Sequence, residues 1–223
     1  MHTGKAAAIL MASGFSRRFG GRNKLLVPFR GKPLARHTLD MVCSMKHDAA
    51  AKDSLEDCFS GIFFVTQDEQ VAALANGLPV TLIRNNAPEK GRQESIRLGI
   101  EAADELGCQS RPGYYFFFPC DQPFLDQQTV RRILAARRPG CIVEPCYQDL
   151  QSSLGCHSSP SLFSAAFRDE LLTLGNGEKP RIIKARHPNA LISIEITNLS
   201  ALFDIDTPED INKMNFTSSP NAG

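Results

Sequence analysis

Residues 6–11 read Ala-Ala-Ala-Ile-Leu-Met, an unbroken apolar run that gives way at once to Ala12-Ser13-Gly14. So short and continuous a run, ending in small residues, has the pattern of a strand buried on both faces, and such strands belong to parallel sheets covered by helices. The next stretch is equally restrictive. Between Gly14 and Lys24 the chain mixes Gly14, Gly20 and Gly21 with the cations Arg17, Arg18, Arg22 and Lys24. Glycine lets the backbone turn its N–H groups toward an anion, and the cations supply charge of the matching sign. The stretch therefore points to a polyphosphate, of the nucleoside triphosphate class.

Neither common phosphate loop fits. A P-loop needs Lys and then Ser or Thr directly after its second glycine, whereas Gly20 is followed by Gly21-Arg22. The Gly-x-Gly-x-x-Gly dinucleotide fingerprint does not accommodate Gly14, Gly20 and Gly21.

Further strand-length apolar runs follow at Gly61–Thr66, Val80–Ile83, Tyr114–Phe118, Cys141–Val143 and Leu191–Ile196. Helical patterns lie between them: one opened by Pro33, with Leu34, Thr38, Met41, Val42 and Met45 on one face, and others at Gln67–Ala75, Gln93–Leu106, Gln127–Arg137, Ser161–Thr173 and Pro208–Met214. This alternation predicts an α/β fold with a mostly parallel, Rossmann-like sheet flanked by helices. One domain over residues 1–214 is expected, with a lengthened connection over 46–60 and a frayed tail over 215–223. In open α/β sheets ligands gather beyond the C-terminal ends of the strands. The loop from Ala12 to Lys24 and the segment Pro119-Cys120-Asp121-Gln122-Pro123 both follow strands, so both fall at that edge.

Composition narrows the class further. With 223 residues the chain can bury most of the surface its unfolded form exposes, so neither a disulfide nor a metal is needed for stability. The net charge of +1 argues against a nucleic-acid tract or a polybasic membrane anchor, and makes the cations of residues 17–24 a local feature. Seven cysteines, irregularly spaced and without a Cys-x-x-Cys pair, read as free thiols of a reducing compartment. Ala6–Met11 is too short for a signal peptide or a membrane span, so a cytoplasmic location is expected.

Asp121 is the first chemical candidate. An acid that ends a strand and faces a phosphate loop is placed to bind Mg²⁺, which prefers one or two carboxylates together with substrate phosphates. Asp126 stands nearer to the helix at Gln127 and is the better cap for it. Farther on, Thr207-Pro208-Glu209-Asp210 has the form of a helix start, with Thr207 as cap and Pro208 at the first helical position. That leaves Asp204 and Asp206 unexplained; in an extended segment they point to one side and Ile205 to the other. Gly91 leads into a helix whose first N–H groups are open to an acceptor. Cys120 has apolar neighbours and no histidine beside it as a base, so it reads as an inert thiol.

The order of these motifs resembles that of the molybdenum cofactor nucleotidyltransferases, within the wider nucleotide-diphospho-sugar transferase fold. The carriers are small-small-Gly-x-Ser-x-Arg-bulky-Gly-x-x-Asn-Lys-Leu-Leu near the N-terminus, Asp121-Gln122-Pro123, the form found in the cytidylyltransferases, and Asp204-Ile205-Asp206-Thr207-Pro208-Glu209-Asp210. The resemblance implies a Mg²⁺-dependent enzyme that moves CMP from CTP onto the terminal phosphate of a molybdopterin-type acceptor and releases pyrophosphate, with a molybdoenzyme as the receiver of the product. Ala12, Ser13, Gly14 and Ser16 would cradle the nucleotide, Arg18 and Lys24 would offset triphosphate charge, and Asp206 would join Asp121 at the metal. Gln93 and Ser95 would face the nucleobase. Residues 155–163 and 174–181 match the acceptor region only in part, with Asn176 where the family has an acid and Lys179 and Arg181 as candidates for an acceptor phosphate. A sugar phosphate or another small phosphorylated acceptor is the alternative substrate, and a non-catalytic carrier for molybdoenzyme maturation is the alternative class.

Overall fold

A computed structural model describes residues 4–46, 59–106, 111–149, 152–156 and 159–216. Its strands are β1 (Ala6–Met11), β2 (Pro28–Phe29), β3 (Lys32–Pro33), β4 (Phe59–Thr66), β5 (Thr81–Arg84), β6 (Tyr114–Pro119), β7 (Ile142–Asp149), β8 (Ser152–Cys156), β9 (Ser161–Ser164) and β10 (Leu191–Glu195). Its helices are α1 (Leu34–Lys46), α2 (Glu69–Ala73), α3 (Arg92–Leu106), α4 (Gln127–Ala135), α5 (Arg168–Leu172), α6 (Arg181–Arg186) and α7 (Pro208–Phe216).

The main sheet runs β10-β7-β9-β6-β1-β4-β5, with β8 paired to β7, while β2 and β3 form a separate small hairpin. β1 lies parallel to both β4 and β6, β4 is parallel to β5, and β10 to β7. The period-2 alternation of a strand divides the core. Ala6, Ala8 and Leu10 of β1 join Tyr114, Phe116 and Phe118 of β6 against Leu39 and Val42 of α1 and Ile133 of α4. Ala7 and Ile9 join Tyr115 and Phe117 against Ile96 and Ile100 of α3, Leu171 of α5 and Ile183 of α6. The mostly parallel sheet flanked by helices is thus the architecture expected from the sequence.

One expected helix is corrected. Residues 161–173 begin with strand β9, antiparallel to both β6 and β7, and only Arg168–Leu172 is α-helical. Leu162 packs into one face of the core and Phe163 into the other, an alternation that a helix cannot make. Ser164 then closes the strand by accepting a hydrogen bond from the Ala166 N–H at 3.4 Å. The helix expected at Gln67 starts instead at Glu69, because the Asp68 carboxylate accepts from the N–H groups of Gln70 (2.8 Å) and Val71 (3.1 Å) and caps it. Val80 lies just outside β5, and β2, β3, β8 and α6 were not expected. Of the expected connection over 46–60, residues 47–58 lie outside the described residues; of the expected tail, Asn215 and Phe216 are helical and 217–223 lie outside. Among the described residues no helix is long and apolar enough to cross a membrane.

Helix α3 can lie close on the sheet because position 99 has no side chain: a Cβ on Gly99 would overlap Ile9 Cγ2, and Ile9 is fully buried. Gly99→Ala is expected to lower stability by about 1–3 kcal/mol through overpacking, less the ~1 kcal/mol that alanine gains in a helix. Chemical denaturation of Gly99→Ala, of Ile9→Ala, which removes the Cγ2 that would be overlapped, and of the double variant checks this. The double variant should lose less than the two single changes summed, and additivity of the two would contradict the contact.

Candidate active site

The chain leaves β1 on the side of β4 and returns on the opposite side to make β6. The loops after β1 and β6 therefore open a crevice at the C-terminal edge of the sheet, at the point where the strand order reverses. The loop after β1 is fixed at several places. Ser16 adopts a left-handed conformation (φ 48°), as do Gly20 and Gly21 (φ 60° and 84°). The Ser16 hydroxyl accepts from the Lys24 N–H at 3.0 Å. Asn23 accepts from the Leu25 N–H at 3.1 Å and donates to the Asp68 carboxylate at 2.9 Å, which ties the loop to the start of α2.

Lys24 leaves this loop and reaches the acidic groups. Its Nζ donates to Asp121 Oδ2 at 2.7 Å, to Asp206 Oδ1 at 2.9 Å and to the Ile205 carbonyl at 2.9 Å. The ammonium and the Asp121 carboxylate are nearly enclosed, with side chains 11% and 16% exposed. Arg18, on the outer rim, donates to Asp206 Oδ2 at 3.1 Å. The structure thus joins Arg18, Lys24, Asp121 and Asp206 in one cluster. Asp121 Oδ1 is buried with no hydrogen-bond partner. No group of three or more His, Cys, Asp or Glu side chains forms a metal cage among the described residues. Two carboxylates with an orphaned, inward-facing oxygen nevertheless suit Mg²⁺, whose remaining ligands come from phosphates and water.

Charge sharing sets the protonation states. Burial works against the charge on Lys24, but Asp121 and Asp206 outweigh it and hold the ammonium above its usual range. Desolvation likewise opposes ionisation of Asp206, and Lys24 and Arg18 overcome it and hold the carboxyl below its usual range. Asp204 behaves oppositely: desolvation, followed by the neighbouring Asp121 carboxylate, pushes its pKa up to about 6 against the hydrogen bond from Gln122. Burial, then Asp121, pushes the Cys120 thiol well up, consistent with an inert thiol.

Gln122 was legible only as part of a motif, yet it is a principal brace. Its buried amide Nε2 donates to Asp204 Oδ1 at 2.9 Å, and the Asp121 carbonyl accepts from the Ile205 N–H at 2.9 Å. Ile205 turns away from both acids into a small core with Phe19, Phe29 and Leu34. Below it, Thr207 and Asp210 cap α7 reciprocally: Asp210 N–H donates to the Thr207 hydroxyl at 3.3 Å, and Thr207 N–H to the Asp210 carboxylate at 2.8 Å. Asp126 caps α4 through the Thr129 N–H at 2.7 Å.

A cavity of about 160 Å³ opens beside the cluster, with Lys24 and Asp121 on one side and Gly91, Arg92 and Ser95 on the other. Ser13 and Gly14 line it too, while Ala12 is buried beneath and donates its N–H to the Val65 carbonyl at 2.8 Å. Ser95 faces the cavity, its hydroxyl accepting from Asn85 Nδ2 at 3.2 Å. Gln93 is turned inward: its amide nitrogen donates to the Lys90 carbonyl and, at 3.1 Å, to Asn176 Oδ1. A larger cavity of about 560 Å³ lies across Gly14 and Phe15 and is lined by Asp68 but not by Asp121 or Asp206. A third, small cleft shares Met11 and Arg92 with the first and adds Ser159, Ser161, Lys179 and Arg181. Arg92, which the sequence reading passed over, could have been found as a cation at the start of α3 beside Gly91.

The raised pKa of Asp204 has a sign that can be tested. A carboxyl whose folded value lies above its unfolded one favours folding below the unfolded pKa, and that contribution is lost as pH rises through the folded value. Asp204→Asn, which keeps an acceptor for Gln122, should therefore raise the melting temperature by a few degrees at pH 8 and leave it nearly unchanged at pH 4. Melting curves across pH 4–8 that shift in parallel would contradict the assignment.

Comparison with known proteins gives this geometry a family. A curated nicotine blue oxidoreductase from Paenarthrobacter nicotinovorans is 26% identical over 92% of this chain and 94% of its own length. A molybdenum cofactor guanylyltransferase from Cupriavidus metallidurans is 24% identical and a molybdenum cofactor cytidylyltransferase from Escherichia coli 25%, each over 91% of both chains. A solved structure described as a nucleotidyl transferase from Methanothermobacter thermautotroptrophicus shares the fold, with a TM-score of 0.73 at 19% identity over 97% of this chain and 98% of that one. Residues 8–190 match the MobA-like NTP transferase domain, and with the cation–carboxylate cluster lying inside the crevice of that fold, the chain belongs to this family of nucleotidyltransferases.

Proposed function

We propose that the protein transfers CMP from CTP to the terminal phosphate of a molybdopterin-type acceptor in the cytoplasm, releasing pyrophosphate, and that a molybdoenzyme receives the product. The observation that carries this reading is the meeting of Lys24, Asp121 and Asp206 at one edge of the sheet, 2.7–2.9 Å apart, with a cavity beside them. A phosphoryl-transfer site needs placement of reactants and compensation of charge more than it needs a protein nucleophile. The triphosphate lies along Ser13, Gly14 and Ser16, and Arg18 and Lys24 offset its charge. Asp121 and Asp206 would hold Mg²⁺, which neutralises charge on the phosphates when bound.

An oxygen of the acceptor phosphate forms the new bond to the α-phosphorus as the bond to the bridging oxygen of pyrophosphate breaks. That acceptor is already ionised at neutral pH, so no general base is required. Its anionic character suits the small cleft, where Arg92, Lys179 and Arg181 make no ion pair among the described residues. Ser95 and the backbone at Gly91 face the base, with Gln93 setting the geometry behind them. CTP is preferred over GTP because Asp121-Gln122-Pro123 resembles the cytidylyltransferase form of this motif.

Pyrophosphate release with each of the four NTPs and Mg²⁺, with a molybdopterin extract or a sugar phosphate, tests the reading. Release with CTP and the extract alone is the expected result; turnover with a sugar phosphate would change the acceptor, and nucleotide binding without release would make the protein a carrier. Lys24→Ala should lower turnover by roughly ten- to a thousand-fold, and wild-type rates in that variant would remove Lys24 from the mechanism.

A further inference from the structure

Lys24 has a second role that the triphosphate reading alone does not contain. An ammonium has three donors and no acceptor. All three donors of Lys24 are directed at Asp121, Asp206 and the Ile205 carbonyl. These are the same two carboxylates that suit a divalent cation, and the ammonium stands between them. Asp206 Oδ2 is taken by Arg18, which leaves Asp121 Oδ1 as the one carboxylate oxygen of the pair without a partner. Two carboxylates, one ammonium and one guanidinium sum to zero charge; Asp204 beside them, hydrogen-bonded to Gln122, adds at most one negative charge.

A free dication entering this cluster would meet two resident cations and little net negative charge. A dication arriving on a triphosphate brings its own anions, which offer the ammonium a new set of acceptors. The backbone of Lys24 is held by the Ser16 hydroxyl, so the flexible four-carbon stem can swing while its root stays in place. We infer that the Lys24 ammonium occupies the divalent-cation seat in the nucleotide-free protein and cedes it to the metal only when a triphosphate arrives to receive the ammonium. Nucleotide and metal then enter together, and the carboxylates are not left facing each other uncompensated before they do. This rests on the metal assignment of the proposed function, and the two are separable by experiment.

Mn²⁺ serves as the probe, its free concentration read by electron paramagnetic resonance with the full chain. Nucleotide-free wild-type protein should bind Mn²⁺ at least ten-fold more weakly than Lys24→Met or Lys24→Gln, and a non-hydrolysable CTP analogue should remove most of that difference. Melting curves supply a second readout: Mn²⁺ alone should stabilise Lys24→Gln and leave the wild type unmoved, with Asp121→Asn unresponsive in either background. Equal nucleotide-free affinity in wild type and both Lys24 variants would overturn the exchange of cations while sparing the metal site. An absence of Mn²⁺ binding in every form, even with nucleotide, would overturn the exchange and the metal assignment together.

Discussion

The cluster at the sheet edge is held by one ammonium placed between carboxylates that are 97 and 182 residues away from it in sequence. Two acids facing a shared cavity would repel and, away from water, would resist ionising together. The lysine offsets that repulsion by standing within hydrogen-bond distance of both. Its own position is over-determined from the other side, by the left-handed turn at Ser16, the Ser16 hydroxyl and the Asn23–Asp68 hydrogen bond. Removing one member of so enclosed a pair would leave the other charge unpaired, at a cost of about 3–5 kcal/mol. Stability and charge placement therefore rest on the same three side chains.

Apolar packing brings those side chains within reach of one another. Phe19 from the first loop, Phe29 and Leu34 around the hairpin of β2 and β3, and Ile205 from between the two acids form a small core of their own, with Phe124 from the loop after β6 against it. Each segment that supplies Lys24, Asp121 or Asp206 also supplies an apolar side chain to this core. The hairpin itself turns at Arg30 and Gly31, both with positive φ (45° and 86°), the pairing that a tight right-twisted hairpin requires. Arg30 then covers the Phe124 ring at 4.6 Å and donates to the Met214 carbonyl at 2.9 Å, fastening the end of α7 to the same core.

Much of this was legible in the sequence because it depends on local signals. The buried strands announce themselves as apolar runs, Asp126 and Thr207 as caps, and the glycines after β1 as a tightly turning loop. The residues that were misread or passed over depend on distant partners. Ser161–Ser164 is a strand because a gap between β6 and β7 accepts it, and nothing within 161–173 records that gap. Gln122 matters because Asp204 lies opposite, and Gln93 faces inward because Asn176 meets it from 83 residues away. The sequence also has no means of showing that Lys24 would rest on the carboxylates, since a cation in an anion loop is equally suited to both partners.

Asn176 shows how one such distant contact bears on chemistry. Where the resemblance led one to expect an acid, this chain has an amide whose oxygen accepts from Gln93, so the hydrogen bond to the start of α3 is made without a negative charge. Arg92 is the neighbour of Gln93 in sequence, and Lys179 and Arg181 follow Asn176 closely; all three line the small cleft. A carboxylate at position 176 could accept the same bond from Gln93 and would add one negative charge to the stretch that carries Lys179 and Arg181. The amide keeps the brace between the loop and the helix without adding a negative charge to that stretch. The departure from the expected pattern is thus compatible with the phosphorylated acceptor proposed above.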